Sequence, residues 1–403
     1  MESGQQSTAL QTYETEITRA EDRLLRLLDE GILYRSAGNF VESNARLAEA
    51  ARILEVRGYL SLTGELSSVI TDARQTVYQG EDFEKVLVHL YMALNYLELG
   101  EDEASLVETR RVNELMAQFI SEGKRPYQLN AFARYLGGLI YEKNGEINDA
   151  FIAYRASIEI LDSHHQKVPA GLYLDLFRAG RRMGFHDELE KFRERVSPEL
   201  WEEGRQRASN QQASLVLILE SGKSPIKKSR PTRQRSGNED LGEFLFPLAV
   251  YESRPTRVTH ARLRLQSVDS ETPPKESETR SLFDVEKTAE AHLQHRMGIE
   301  MSKAALRAGL RLGLAAGVGM ATKSEELGIL TGLLLFAATE ADTRSWLLLP
   351  SDFQATRVFV PAGEYEASIQ FLDAAGRVLS EESLDNLQLK KGEILFLQRR
   401  SFH

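Results

Sequence analysis

The sequence predicts an α+β protein, in which an N-terminal α-solenoid is followed by a small antiparallel β domain carrying a helical insertion. Three observations lead there. A spacing of small residue, tyrosine and glycine recurs three times in the first half. Short apolar runs, several of them alternating and bounded by glycine or proline, fill the second half. Between about residues 282 and 341 a helical period interrupts those runs.

The solenoid is read from three segments. "GILYRSAGNFVESNARLAEA" places Gly31, Tyr34, Gly38, Ser43, Leu47 and Ala50 at offsets 0, 3, 7, 12, 16 and 19. "ALNYLELGEDEASLVETRRV" repeats the spacing with Ala93, Tyr96, Gly100, Ser105, Thr109 and Val112. "GLIYEKNGEINDAFIAYRAS" repeats it with Gly138, Tyr141, Gly145, Ala150, Tyr154 and Ser157. Small residues let two helices approach, tyrosine fills the space between them, and glycine supplies the turn. This pattern resembles the tetratricopeptide repeat. The second copy departs from it at Thr109 and Val112, and the turn glycines lie 62 and then 45 residues apart. Residues 59–88 are expected to add a helical pair without the full signature. "LYLDLFRAGRRMGFHDELEKFRERV" is expected to form a degenerate fourth unit turning at Gly184. The solenoid is assigned to residues 10–200. The resemblance implies a concave face that presents first-helix side chains to a protein partner. Arg35, Asn95, Tyr135, Leu139, Glu142 and Lys143 are the residues it places there.

Strands and a basic stretch are assigned to residues 210–270. "ASLVLILESG" reads as a buried strand, and "EFLFPLAVYESR" and "TRVTHARLRLQS" read as two more. "KSPIKKSRPTRQRSG", residues 223–237, has six Lys or Arg and no acid. It reads as a loop able to meet phosphates or an acidic partner, although a solvated linker is the simpler reading. "DSETPPKESETRS" is also loop-like. The helical insertion occupies residues 282–341, and "SWLLLP", "TRVFVPAGEYEASIQFLDAAGRVL" and "GEILFLQRR" return the chain to strands over 344–400.

Inside the insertion, "GLAAGVGMATKSEELGILTGLLLFAAT" is the least polar stretch of the chain. Its uncharged runs, 312–322 and 327–339, are eleven and thirteen residues long. A membrane-spanning helix needs about 20. Glycines recur four apart at Gly309, Gly313 and Gly317, then at Gly328 and Gly332. A packed hairpin is therefore expected over 305–339, with a membrane-associated or pore-associated role of that hairpin as the alternative. "GVGMATKS" fits a phosphate-binding loop except that Thr322 stands where a glycine is required, so no nucleotide is expected.

Bulk properties narrow the function classes. At 403 residues, 42% hydrophobic and 27% charged, the chain has the composition of a folded, soluble protein of two or three domains. Its net charge of −10 repels nucleic acid and anionic membranes overall, and no nucleic-acid partner is expected. With no cysteine, thiol chemistry and cysteine-ligated metals are excluded. His164 and His165, and the group Glu290, His292 and His295, fall short of a metal-ligand set and are expected to be solvated or capping. No catalytic frame of carboxylates or of Ser, His and Asp is legible. The chain reads as non-enzymatic, with no cofactor and no metal.

"LVHLYMALNYLELGEDEASLVETRRVNEL", "FARYLGGLIYEKNGEINDAFIAYRASIEIL" and "EADTRSWLLLP" together resemble a bacterial family of tetratricopeptide-containing proteins. Many members of that family look like lipoproteins of the Gram-negative envelope, encoded beside small envelope lipoproteins. The resemblance implies a periplasmic scaffold tethered to the outer membrane, with neighbouring lipoproteins as partners and an N-terminal lipid anchor as the membrane contact. "MESGQQSTALQTYETEITRAEDRLL" has no signal-peptide pattern. The expectation is either a mature start, with Met1 where a lipidated cysteine stood, or a cytosolic repeat adaptor. Asp342, Arg344 and Trp346 stand out in the second domain, as a charge pair over a packed tryptophan at a helix-to-strand corner.

Overall fold

The computed structural model describes residues 22–64, 77–121, 129–207, 212–235, 243–269, 273–294 and 341–402. Helices α1 (Arg23–Ser36) and α2 (Phe40–Gly64), α3 (Asp82–Glu98) and α4 (Asp102–Ser121), and α5 (Ala131–Lys143) and α6 (Ile147–Ser163) form three helix–turn–helix units. A fourth unit comprises α7 (Ala170–Arg182), the five-residue α8 (His186–Glu190) and α9 (Pro198–Arg207). The architecture is a tetratricopeptide-like solenoid followed by a β domain.

The repeated spacing has a physical cause at four of its six offsets. A Cβ on Gly138 would stand 2.4 Å from the Tyr154 ring, and one on Gly31 would stand 2.7 Å from Leu47. The small first-helix residue is therefore the socket for the residue sixteen positions on. Ser43 Oγ donates to the Gly31 carbonyl at 2.7 Å, and Ser105 Oγ donates to the Ala93 carbonyl at 3.0 Å. These bonds stitch offset 12 to offset 0. Gly145 turns the third unit at φ +80° in open space, a conformation that glycine adopts without a Cβ penalty.

The fourth unit differs from the expected full helix pair. Its second helix stops after one turn and gives way to a 3₁₀ turn at Arg193–Arg195. Helix α9 then covers α7, with Trp201 edge-on to Phe177 at 5.0 Å. Helix α2 runs to Gly64 and α3 begins at Asp82, so the extra pair expected over 59–88 is not formed by its described residues; 65–76 lie outside them.

Among the described residues ten strands follow: β1 (Ala213–Ser221), β2 (Ile226–Arg235), β3 (Glu243–Glu252), β4 (His260–Ser267), β5 (Lys275–Glu278), β6 (Arg280–Asp284), β7 (Asp352–Val360), β8 (Gly363–Leu372), β9 (Val378–Leu389) and β10 (Ile394–Ser401). An inner sheet has the order β10-β1-β7-β6 and an outer sheet the order β5-β4-β8-β9, while β2 and β3 form a separate ribbon. Pairing is antiparallel except between β1 and β10, which run parallel. The three layers are solenoid, inner sheet and outer sheet. Strand β1 is buried at all nine positions because both its faces are covered. Leu215, Leu217 and Leu219 join Leu263 and Ile369 between the sheets, whereas Val216 and Ile218 join the solenoid core.

Several second-half assignments change. The basic stretch 223–237 is strand β2 over most of its length, in register with apolar β3. The polar stretch 269–281 supplies β5 and the start of β6. Leu282 and Phe283 stay in β6, so the helical insertion starts at residue 285, and its described part is 285–294. "SWLLLP" is irregular rather than a strand, because groups from elsewhere take its backbone. Glu84 accepts from the Trp346 N–H at 3.0 Å, Arg254 donates to the Leu347 carbonyl at 2.6 Å, and Arg400 donates to the Leu348 carbonyl at 2.7 Å. The hairpin expected over 305–339 lies outside the described residues. Among those residues no helix is long and apolar enough to cross a membrane.

Gly138→Ala is expected to destabilise the protein by about 1–3 kcal/mol through overpacking against Tyr154. Gly145→Ala, in open space, is expected to cost about 1–2 kcal/mol through backbone conformation alone. Thermal and urea melts of the two variants check this; equal, negligible shifts would contradict the socket.

Candidate functional site

The concave face of the solenoid is lined by its first helices, α1, α3, α5 and α7, and the inner sheet lies against it. Residues alternate across a strand, so Phe353, Ala355 and Arg357 of β7 share the face turned to the helices. They sit in register with Glu220, Ile218 and Val216 of β1. Phe353 stacks on Phe132 of α5 at 5.1 Å and lies 5.8 Å from the Tyr91 ring of α3. Around that aromatic centre stand three buried polar clusters.

In the first cluster Arg357 Nη1 donates to Glu142 Oε2 and to Asp175 Oδ1, each at 2.9 Å, and its Nη2 donates to Glu142 Oε1 at 3.1 Å. Arg178 also pairs with Glu142. Tyr135 donates to Asp175 Oδ2 at 2.8 Å, and Tyr154 donates to Glu142 Oε2 at 2.9 Å. Phe359 lies under both guanidiniums, 4.4 Å from Arg357 and 4.9 Å from Arg178. Two cations thus meet two carboxylates. Asp175 is wholly buried and the Arg357 side chain is 2% exposed. Burial alone would raise the Glu142 carboxyl, but Arg357 and Arg178 overcome it and hold that carboxyl well below the usual range.

The second cluster centres on Glu220 of β1. Arg400 Nη1 donates to its Oε2 at 2.7 Å, Tyr91 donates to the same oxygen at 2.8 Å, and Arg35 Nη2 reaches Oε1 at 3.3 Å. Burial opposes ionisation of Glu220, and the two arginines reverse that, lowering its pKa. Arg35 continues to Asn95 Oδ1 at 2.6 Å, and Asn95 donates to Ser43 and to Asn44, each at 2.8 Å. Gln398 of β10 accepts from Arg35 and donates to the Leu94 carbonyl at 2.9 Å.

The third cluster lies at the start of α3. Glu84 accepts from Tyr78 at 2.6 Å and from the Glu81 N–H at 2.8 Å, besides the Trp346 N–H. Burial, with Glu81 adding to it, raises the Glu84 carboxyl. Glu81 takes Lys227 Nζ at 3.0 Å and stands 3.1 Å from His292 Nδ1.

Of the residues read as a partner groove, Arg35, Asn95, Tyr135 and Glu142 belong to the clusters just described. Leu139 is wholly buried beside them on α5. These five are covered by the chain's own fold rather than open to a separate partner. Lys143 pairs instead with Asp102 of the preceding unit, at 2.7 Å, and keeps partial exposure. Asp342 and Arg344 do pair, at 2.8 Å, and Arg344 also reaches Asp22 at 2.9 Å and lies over Tyr78. Trp346 is buried, 5.8 Å from Tyr91, in an irregular segment rather than at the start of a strand. His292 is buried against Glu81 and edge-on to Phe83, not solvated; His295 lies outside the described residues. Sequence reasoning missed Arg357, Glu220 and Arg400. The available signal was charge within strands rich in apolar residues, most plainly Glu220 in "ASLVLILES", which demands a buried partner.

No protein-family model matches the chain, and no curated protein does. Solved structures similar to it include MamA, at 16% identity and a TM-score of 0.31, covering 51% of this chain and 90% of that one. A Rap protein complexed with competence and sporulation factor is 14% identical with a TM-score of 0.30, covering 52% of this chain and 50% of that one. A Podosopora anserina putative kinesin light chain with TPR-like repeats is 15% identical with a TM-score of 0.32, covering 52% and 89%.

Arg357→Ala leaves the buried carboxylates of Glu142 and Asp175 to share Arg178 and is expected to cost about 3–5 kcal/mol. Arg357→Met combined with Glu142→Gln is expected to cost clearly less than the sum of the two single changes. A double-mutant cycle by urea denaturation measures the difference, and additivity would contradict the coupling.

A second prediction concerns pH. At the start of β7, burial pushes the Asp352 carboxyl up to about 7, against hydrogen bonds from Ser281 and Gln354. The folded state therefore holds a proton that the unfolded chain releases near pH 4. Stability falls as pH rises from about 4 to about 7. Glu142 and Glu220 act oppositely: their contribution is full above about pH 4.5 and is lost as pH falls through their lowered folded values. Asp352→Asn should reduce the loss between pH 4 and 7, leaving the part that the raised Glu84 carboxyl contributes, and should keep the acid collapse. Melting temperatures from pH 3 to 8 test this; an unchanged slope across the upper window would contradict it.

Proposed function

We propose that this chain is a non-enzymatic protein-interaction scaffold of the bacterial envelope, held in the periplasm on the outer membrane and working with neighbouring lipoproteins. The observation that carries the scaffold reading is the binding chemistry of the concave face. That face already holds a protein surface, its own inner sheet, through aromatic stacking and charge-assisted hydrogen bonds contributed by all four units. A repeat solenoid engages proteins through such a surface. Because this one is filled in cis, external partners are assigned to the faces it leaves free, the convex side of the solenoid and the outer sheet. Val41, Val107 and Ile152 of the second helices are exposed apolar positions there. The envelope location is supported by the resemblance carried by the repeat segments and "EADTRSWLLLP".

The test is to express the natural gene in its own host, fractionate the cells, determine the N-terminal mass and cross-link in the cell. The expected result is a diacylated N-terminus in the outer-membrane fraction, with cross-links from convex-face positions to envelope lipoproteins. A soluble cytosolic product would defeat the location. Cross-links confined to the chain itself would defeat the scaffold reading.

A further inference from the structure

The ribbon β2–β3 belongs to neither four-stranded sheet. A two-stranded ribbon is marginal in water unless a face is covered. Its root is fixed to the solenoid, where Lys227 reaches Glu81 at 3.0 Å and lies 5.8 Å from the Tyr251 ring centre. Beyond the root the register is regular, from Lys228 opposite Val250 to Arg235 opposite Glu243.

The two strands differ sharply in chemistry. Strand β3 carries no charge from Phe244 through Tyr251, whereas β2 carries Lys227, Lys228, Arg230, Arg233 and Arg235 and no acid. Directly opposed residues share a face. Lys228 and Arg230 therefore share one face with Val250 and Leu248, and Arg233 holds the register position opposite Leu245. The face of Lys228 and Arg230 sets a basic column beside an apolar one. Two glutamates close the ends of β3. Glu252 pairs with Lys228 at 2.8 Å, and Glu243 stands opposite Arg235. Five cations against two acids leave the ladder with a net charge of +3 on a chain whose total is −10.

Pro231 lies opposite Pro247. A proline in each strand interrupts the row of N–H donors, the device by which edge strands resist a further strand. Recognition by this ribbon therefore runs through its faces and not its edges. A cationic column beside an apolar column matches the layering of a membrane interface, with anionic headgroups outside and acyl chains beneath. We propose that β2–β3 is a lipid-binding arm that lays β2 on anionic headgroups and β3 on the underlying acyl boundary. The attraction is local to the arm, because the body of the protein is acidic.

The test uses the full chain with sucrose-loaded vesicles, in sedimentation assays at low and high salt. Vesicles of phosphatidylglycerol with phosphatidylcholine are expected to carry the protein down, and vesicles of phosphatidylcholine alone are not. High salt should release it. Arg230→Gln with Arg233→Gln should weaken binding about 30-fold, with an unchanged thermal melt. Leu248→Glu, on the apolar column, should weaken it as a single change. Three results would overturn the proposal: no sedimentation with phosphatidylglycerol at low salt, equal binding to both vesicle types, or full binding by the double variant. Concentration-dependent dimerisation abolished by the same changes, without vesicle binding, would assign the arm to a second copy of the chain instead.

Discussion

Arg357 sits between Glu142 and Asp175 with almost no access to water, and the relation of solenoid to sheet turns on that contact. A guanidinium leaves water at a large cost unless carboxylates meet its donors. Here Glu142 comes from the third unit and Asp175 from the fourth, while Arg357 comes from a central strand of the inner sheet. The three groups can be satisfied only when both helical units and the strand stand in one arrangement. The arginine therefore specifies the docking geometry, while Phe132, Tyr91 and Phe353 supply the apolar burial around it.

The same logic runs along the seam. Glu220 gathers Arg35, Tyr91 and Arg400, so the first unit, the second unit and the last strand meet on one carboxylate. Glu84 and Glu81 gather Tyr78, Lys227, His292 and the Trp346 backbone, tying the ribbon root, the helix at 285–294 and the irregular segment 341–351 to the start of α3. Each cluster joins pieces far apart in sequence. A groove that in isolation would be open to a partner becomes an interior.

That change redistributes what the surface can do. The concave positions carry stability, and the convex helices keep exposed apolar residues such as Val41, Val107 and Ile152. The ribbon stands apart because its composition fits neither core: one strand is too charged to be buried, and the other too apolar to be left bare.

The sequence by itself determined the helical units and most strands. The offsets from Gly31 to Ala50 and from Gly138 to Ser157 encode contacts within one helix pair, and such contacts need only local geometry. Alternation in "TRVTHARLRLQS" is equally local. The resemblance to the tetratricopeptide repeat implied that Arg35, Asn95, Tyr135 and Glu142 stand on the inner helix face, but what covers them could not be read. That depended on Glu220, Arg357 and Arg400, between 78 and 365 residues away from them in the chain. Tertiary structure alone decided that β2 is a strand, that β10 runs parallel to β1, and that "SWLLLP" is held irregular by side chains from elsewhere. Periodicity reports which face of an element is apolar, whereas the partner that satisfies a buried charge is fixed only when distant segments meet.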